Sequence, residues 1–332
     1  MLRWMAIGLP LILGKMAGAQ TNDSAFIARL ADEVLVNGKA YDNLRVLCKQ
    51  VGGRLAGSPQ IYKAEKWGTE ALKAAGADKV YLQECQVPRW VRGGKDSALV
   101  MYTGSTEKPV WIKMPLDVLA LGNSLGTGTK GVEAPVILIH NFDELEKRKD
   151  EIKGKIVFYN YPFNEKYVQP FRAYAEAGVY RWNGPSRAAK YGAVAVVIRS
   201  LSASSDNYPH TGSMGYDSAY PKIPCAAMGL RDADKLAALL GAGKKIKLYY
   251  HSNAHFLPDT IGHNVIGEYT GSESPNEYMT VGGHLDSWDP AEGAHDDGTG
   301  CVHAIEILRA MKAVGYRPKH TLRVVLFVDR KS

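Results

Sequence analysis

The densest set of groups able to do chemistry lies at YMTVGGHLDSWD and PAEGAHDDGTG, residues 278–300. His284 and His295 stand there among Asp286, Asp289, Glu292, Asp296 and Asp297. Histidine with carboxylates and no cysteine suits borderline or hard divalent cations, zinc foremost. In the triplet His284-Leu285-Asp286 the first and third residues are i and i+2, so on a strand their side chains share a face. Asp286 can then accept the second ring N–H of His284 and fix its tautomer. Asp296 has two carboxylate oxygens and could bridge two cations held about 3.5–4 Å apart. An isolated HxD or DDG is also an ordinary polar loop or turn. The signal is their order within one short unit.

That unit must hold them in place. Tyr278 to Gly283 reads as a strand that delivers His284 to its carboxyl end. A Gly/Pro loop carries Asp296 and Asp297, a helix opens behind it, and Thr321 to Phe327 reads as a further strand. Strand, loop, helix, strand is a βαβ unit, and in open α/β sheets ligands collect at the carboxyl ends of the strands. Gly293, Gly298 and Gly300 fit a loop that bends sharply and approaches its neighbours closely.

GGHLDSWD followed by GAHDDGTG resembles the signature of the co-catalytic di-zinc exopeptidases, and within them the carboxypeptidase Q-like branch. The resemblance implies that His284 binds one zinc, that Asp286 orients it, that Asp296 bridges two metals, and that Asp297 shapes the loop. It also implies two Zn2+ per site, a peptide or dipeptide substrate, and hydrolysis by metal-activated water. The family's next landmark is a strand running into a Glu-Glu pair, the first glutamate being the general base and the second a ligand. Arg323 to Phe327 matches the strand. Val328, Asp329, Arg330, Lys331 and Ser332 then stand in place of the acidic pair. The base and three ligands are therefore absent from this sequence, and the expectation is a C-terminally truncated, inactive family member. Two other readings are carried: a non-catalytic binding module of the transferrin-receptor type, and a relative of glutaminyl cyclase.

The same resemblance extends over the chain. The expected fold is α/β, a zinc-exopeptidase-type mixed sheet flanked by helices, left incomplete, with an inserted β-rich protease-associated domain. Residues 1–19 (MLRWMAIGLPLILGKMAGA) read as a signal peptide, with Arg3, a short apolar stretch and the small residues Ala17 and Ala19 before the cut. Residues 20–114 begin the peptidase domain with three helical segments, then a strand over 78–87 and strands at 98–103 and 110–112. GGRLAGSP, residues 52–59, resembles the family's entrance loop. Residues 115–252 read as the insert, from GKIV (Gly154 to Val157) and GAVAVVI (Gly192 to Ile198). Residues 253–332 return to the peptidase sheet.

Composition sets the remaining bounds. The 332 residues carry a net charge of +7, a length suited to about two domains. The basic residues are dispersed and no nucleic-acid motif appears, so no nucleic-acid partner is expected. The apolar part of the N-terminus is too short for a membrane span, so no stable membrane anchor is expected. Secretion or periplasmic export is, with a homodimer as the candidate assembly. Cys48, Cys85, Cys225 and Cys301 lack CxxC spacing and could pair in three ways, with Cys301 read as a packed residue. His251, His255 and His263 straddle a Pro258-Asp259 turn and are not expected to bind metal. His295 is placed at the pocket, His303 on the helix, and Asp289 and Glu292 as solvated loop residues.

Overall fold

The computed structural model describes residues 16–103 and 111–330, with side chains from Ser24 onward. Most of the expected signal peptide (residues 1–15), Val110, Lys331 and Ser332 lie outside the described residues. The chain opens with helices α1 (Met16–Asn37), α2 (Ala40–Val46) and α3 (Pro59–Ala74), a π-turn (Leu47–Val51) extending α2. Ser58 caps α3 by accepting from the Ile61 amide at 3.3 Å, with Pro59 in its first turn, an arrangement suited to a helix start. Ile61, Ala64, Gly68 and Leu72 recur at helical spacing and are buried.

Strand β1 (Lys79–Val91) follows, then β2 (Ser97–Thr103), β3 (Trp111–Leu116), β4 (Val118–Ala120) and β5 (Val132–Ile139). Next come α4 (Phe142–Lys147), β6 (Ile156–Tyr159), α5 (Pro170–Ala189), β7 (Ala195–Arg199), β8 (Cys225–Met228) and α6 (Leu230–Gly241). The chain continues through β9 (Ile246–His251), β10 (His255–Tyr269), β11 (Ser274–His284), α7 (Thr299–Ala313) and β12 (His320–Phe327).

Two mixed sheets result. One has the order β1-β10-β12-β11 and the other β3-β2-β9-β5-β6-β7-β8-β4. In the larger sheet β5 to β8 run parallel, and every residue of β6 and β8 is buried. Helices cover both faces of such strands, which is why IVFY and CAAM carry no polar alternation. In the smaller sheet, Val265, Val324 and Leu326 turn one face into a core shared with Leu72 of α3 and Ile305 of α7. Gly68 lets α3 settle on this face, since a Cβ there would lie 2.7 Å from Leu326 Cδ1. The fold is thus the mixed α/β architecture with helix-flanked sheets expected from the sequence.

Strands β2 and β3, which fall within the stretch read as the start of the peptidase domain, pair within the larger sheet rather than with β1. Tyr102 pairs with Ile246 and Ile112, so β2 and β3 extend the larger sheet through β9. Alternating patterns fix which face of a strand is buried but not which partner it finds. Strand β12 is interior, antiparallel to β10 and parallel to β11, which leaves β11 at the edge. Among the described residues no helix is long and apolar enough to cross a membrane.

Candidate metal centre

His284 is the last residue of β11. The strand reaches it through Gly282 and Gly283, and a Cβ on Gly283 would lie 2.6 Å from the Cys301 amide nitrogen. The α7 N-terminus can approach this closely only because that position has no side chain. Between them, Ala294–Gly298 forms a π-turn whose Asp296–Asp297 peptide is cis. Asp297 ties the turn together: Oδ2 accepts from the His284 amide at 3.0 Å and Oδ1 from the Gly300 amide at 3.1 Å. One carboxylate thus holds the strand end and the first turn of α7, where negative charge is favoured.

The imidazole of His284 is held from both sides. Nδ1 lies 3.0 Å from the Asp286 carbonyl oxygen and 3.1 Å from its Oδ1. Two acceptors on this edge, one of them the buried carboxylate, favour the proton on Nδ1. Asp286 is fully buried. On the opposite edge Nε2 lies 3.0 Å from Asp296 Oδ1. With the proton on Nδ1, Nε2 presents a lone pair to a carboxylate oxygen, an arrangement that needs a shared cation. Either a second proton makes the ring imidazolium, or a metal ion takes both donors. The Asp296 side chain is 62% exposed, against 15% for His284, so the pair faces outward.

A second set of contacts braces the loop at 285–293. Arg54 is fully buried and donates to four carbonyl oxygens: Leu285 at 2.5 Å, Glu292 at 2.8 Å, Gly52 at 3.0 Å and Gly293 at 3.1 Å. Burial pulls its pKa below the ordinary arginine value. Arg92 grips Asp289 bidentately, at 2.6 and 2.8 Å, and reaches Asp96 at 3.3 Å and the Ala120 carbonyl at 2.7 Å. Burial opposes that charge, but the two aspartates raise its pKa above the usual value. Asp289, expected as a solvated loop residue, is therefore a structural anchor. Glu292 remains half-exposed, paired with Lys49 at 2.7 Å. Trp288 lies directly on Gly122, where a Cβ would be 1.9 Å from the ring.

These loops form one wall of a cleft of about 720 Å³ between the two sheets. His284, Trp288, His295, Asp296 and Arg330 line that wall; Phe163, Phe171 and Arg181 line the other. His295 takes the pocket position expected of it, and His303 is exposed on α7. His263 pairs with Glu65 at 2.9 Å, and His255 Nδ1 meets the Asn253 carbonyl at 2.8 Å. The four cysteines are free thiols. Cys301 donates to the His284 carbonyl at 3.3 Å, and burial pushes its pKa up to about 12. Sequence reasoning missed Arg54, Arg92 and Trp288. A charged residue between two glycines and a leucine, in GGRL, is the signal that was available for the first.

A sequence profile of peptidase family M28 matches residues 264–329, which run from the second half of β10 through β12 and include the whole His284–Asp297 region. The chain is 31% identical to a peptidase M28 precursor from Shewanella amazonensis, whose crystal structure it matches with a TM-score of 0.84 over 92% of this chain and 67% of that one. The chain belongs to peptidase family M28. Mouse carboxypeptidase Q is 38% identical over 310 residues, 92% of this chain and 62% of the relative. The chain thus spans 62% of the length of that curated protein. A zinc aminopeptidase from Bacillus subtilis shares the fold at 18% identity, with a TM-score of 0.58 over 86% of this chain and 60% of the other.

Proposed function

We propose that this chain builds part of the active site of a zinc-dependent exopeptidase, with His284 and Asp296 as metal ligands. The observation that carries this reading is the pair of electron-pair donors, His284 Nε2 and Asp296 Oδ1, facing each other at 3.0 Å. Zinc bonds of about 2.0–2.1 Å set neighbouring tetrahedral donors roughly 3.3 Å apart, so the pair needs only a small adjustment to share one ion. The donor types also suit zinc. Family membership supports peptide hydrolysis, and a protein of the same fold from Bacillus subtilis is described as a zinc aminopeptidase.

The chain's own residues divide the work as follows. Asp286 holds the proton on Nδ1 and keeps Nε2 directed at the cleft. Asp297 fixes the separation of strand end and loop. Trp288 and the opposite wall from α5 confine the substrate. A divalent ion held by His284 and Asp296 would supply Lewis acidity and would lower the pKa of water toward neutral. Among the described residues no cluster of three or more His, Cys, Asp or Glu gathers around a common point. The general base and remaining ligands implied by the family resemblance are not among residues 1–332, so this segment alone should bind zinc weakly and hydrolyse nothing. The protease-associated insert expected at residues 115–252 and the export expected from residues 1–19 belong to the same reading; β2, which lies before those bounds, pairs with β9 in the same sheet.

The test compares dipeptide hydrolysis by residues 1–332 with that of a chain extended by the corresponding C-terminal segment of carboxypeptidase Q. Zinc-dependent turnover from the extended chain, lost in His284→Ala, is expected. Equal turnover in His284→Ala would remove the assignment. A second reading, a non-catalytic binding cleft, draws on Arg330, a cation lining the same cleft as the ligand pair. Chelator-insensitive peptide binding without turnover in the extended chain would favour it.

A further inference from the structure

We infer that Arg181 is the specificity-determining residue of the cleft and that it reads the free α-carboxylate of a peptide. Peptide as the ligand class is taken from the peptidase reading above; the carboxylate is not. Arg181 lines the same cleft as His284 and Asp296 but projects from the opposite wall, on α5. Tyr174 lies seven residues earlier on that helix, two turns away and so on the same face. The guanidinium sits over the Tyr174 ring, 5.0 Å from its centroid, and its Nη1 donates to the Tyr174 hydroxyl at 2.7 Å. Those two contacts fix the plane of the group.

What they leave over is the Nε edge. Arg181 Nε is buried and has no hydrogen-bond partner among the described residues. A buried N–H of this kind normally has an acceptor. A planar guanidinium with one edge engaged presents Nε and Nη2 as a fork, which matches the two oxygens of a carboxylate. Gly212, on the same wall, leaves room for the group: a Cβ there would lie 2.3 Å from Nη1 and 2.8 Å from Nε. Phe163 and Phe171 supply an apolar surface for the adjoining side chain. A peptide anchored by its carboxyl end at Arg181 extends toward His284 from the C-terminal side, which gives the cleft the polarity of a carboxypeptidase or dipeptidase. Arg330 is the competing cation, on the other wall, and it is exposed.

The 332-residue chain is titrated with N-acetyl-Leu-Leu and, separately, with its C-terminal amide, by ligand-observed NMR. Wild type should prefer the acid by about tenfold or more, the effect of one or more hydrogen bonds to a charged group. Arg181→Gln should reduce that preference to near unity, and Arg181→Lys should restore only part of it. Gly212→Ala, which keeps the charge but displaces the fork, should behave like Arg181→Gln. Arg330→Gln should keep the wild-type preference. Matching thermal melts separate these effects from misfolding. Equal binding of acid and amide to wild type, no binding of either, or loss of preference in Arg330→Gln with retention in Arg181→Gln overturns the inference. If the acid preference depends on Arg181 while the extended chain never hydrolyses peptides, the peptidase reading fails and the carboxylate site stands.

Discussion

Replacing Arg54 by methionine should destabilise the protein by about 3–5 kcal/mol, because several buried carbonyls lose their donor at about 1–3 kcal/mol each and loop relaxation recovers part of the loss. The guanidinium is fully buried and satisfies four carbonyl oxygens, from Gly52, Leu285, Glu292 and Gly293. Hydrogen bonds to a charged group each contribute about 1.5–3 kcal/mol. Their sum would exceed the effect of the substitution, because methionine fills much of the volume and the loop can relax. Arg54→Lys keeps the charge but cannot fork to four acceptors, so it should recover only part of the loss. Urea denaturation followed by circular dichroism measures both variants; with an unchanged m-value, the midpoint shift gives the difference directly. The same loop carries the connection from His284 to Asp296, so zinc affinity should fall with stability. A loss below about 1 kcal/mol for Arg54→Met would mean that the four carbonyls find water instead, and that Arg54 does not brace the site.

Further outcomes follow from individual contacts. Asp286→Asn should weaken zinc binding by about 10–100-fold, the usual effect of losing a carboxylate behind a histidine ligand, read by competition with a chromogenic chelator. Gly122→Ala must move Trp288, since the new Cβ would lie 1.9 Å from the ring; the expected result is a change in tryptophan emission and a loss of about 1–3 kcal/mol. A double-mutant cycle on Arg92→Met and Asp289→Ala should return a coupling of about 0.5–3 kcal/mol, while additivity would mean the bidentate contact does not tie β1 to the loop. The Cys301 thiol has a folded pKa of about 12 against an ordinary 9.0. The unfolded chain therefore binds fewer protons between these values, and this group's contribution to stability should fall as pH rises from 9 to 12. Accordingly, Cys301 should resist alkylation at pH 8 until the protein is unfolded.

The parts legible in the sequence were those whose partners are near in the chain. His284 and Asp286 are two residues apart, and Asp296 and Asp297 are separated from them by one loop. The strand–loop–helix order alone is therefore enough to predict that these groups converge. Helix α3 announces itself by Ser58-Pro59 and its apolar spacing, and the buried strands of the larger sheet by unbroken runs such as IVFY. Arg54 was opaque because three of its four acceptors lie 231 to 239 residues away. Asp289 looked like a turn residue because Arg92 lies 197 residues earlier. The pairing of β2 with β9 was hidden for a related reason: a pattern of alternating burial names a face, and only tertiary assembly names the neighbour. Arg181 gave no sequence signal, since an arginine on an amphipathic helix ordinarily faces solvent.

The central claim is that His284 Nε2 and Asp296 share a metal ion. Zinc titration of the 332-residue chain, followed through the imidazole 15N resonances, tests it most directly. At pH above the histidine titration, Nε2 of His284 should shift on zinc addition while Nδ1 stays protonated, and both His284→Ala and Asp296→Ala should abolish saturable binding. Zinc binding that leaves the His284 resonances unmoved, or that survives both substitutions, would contradict the account.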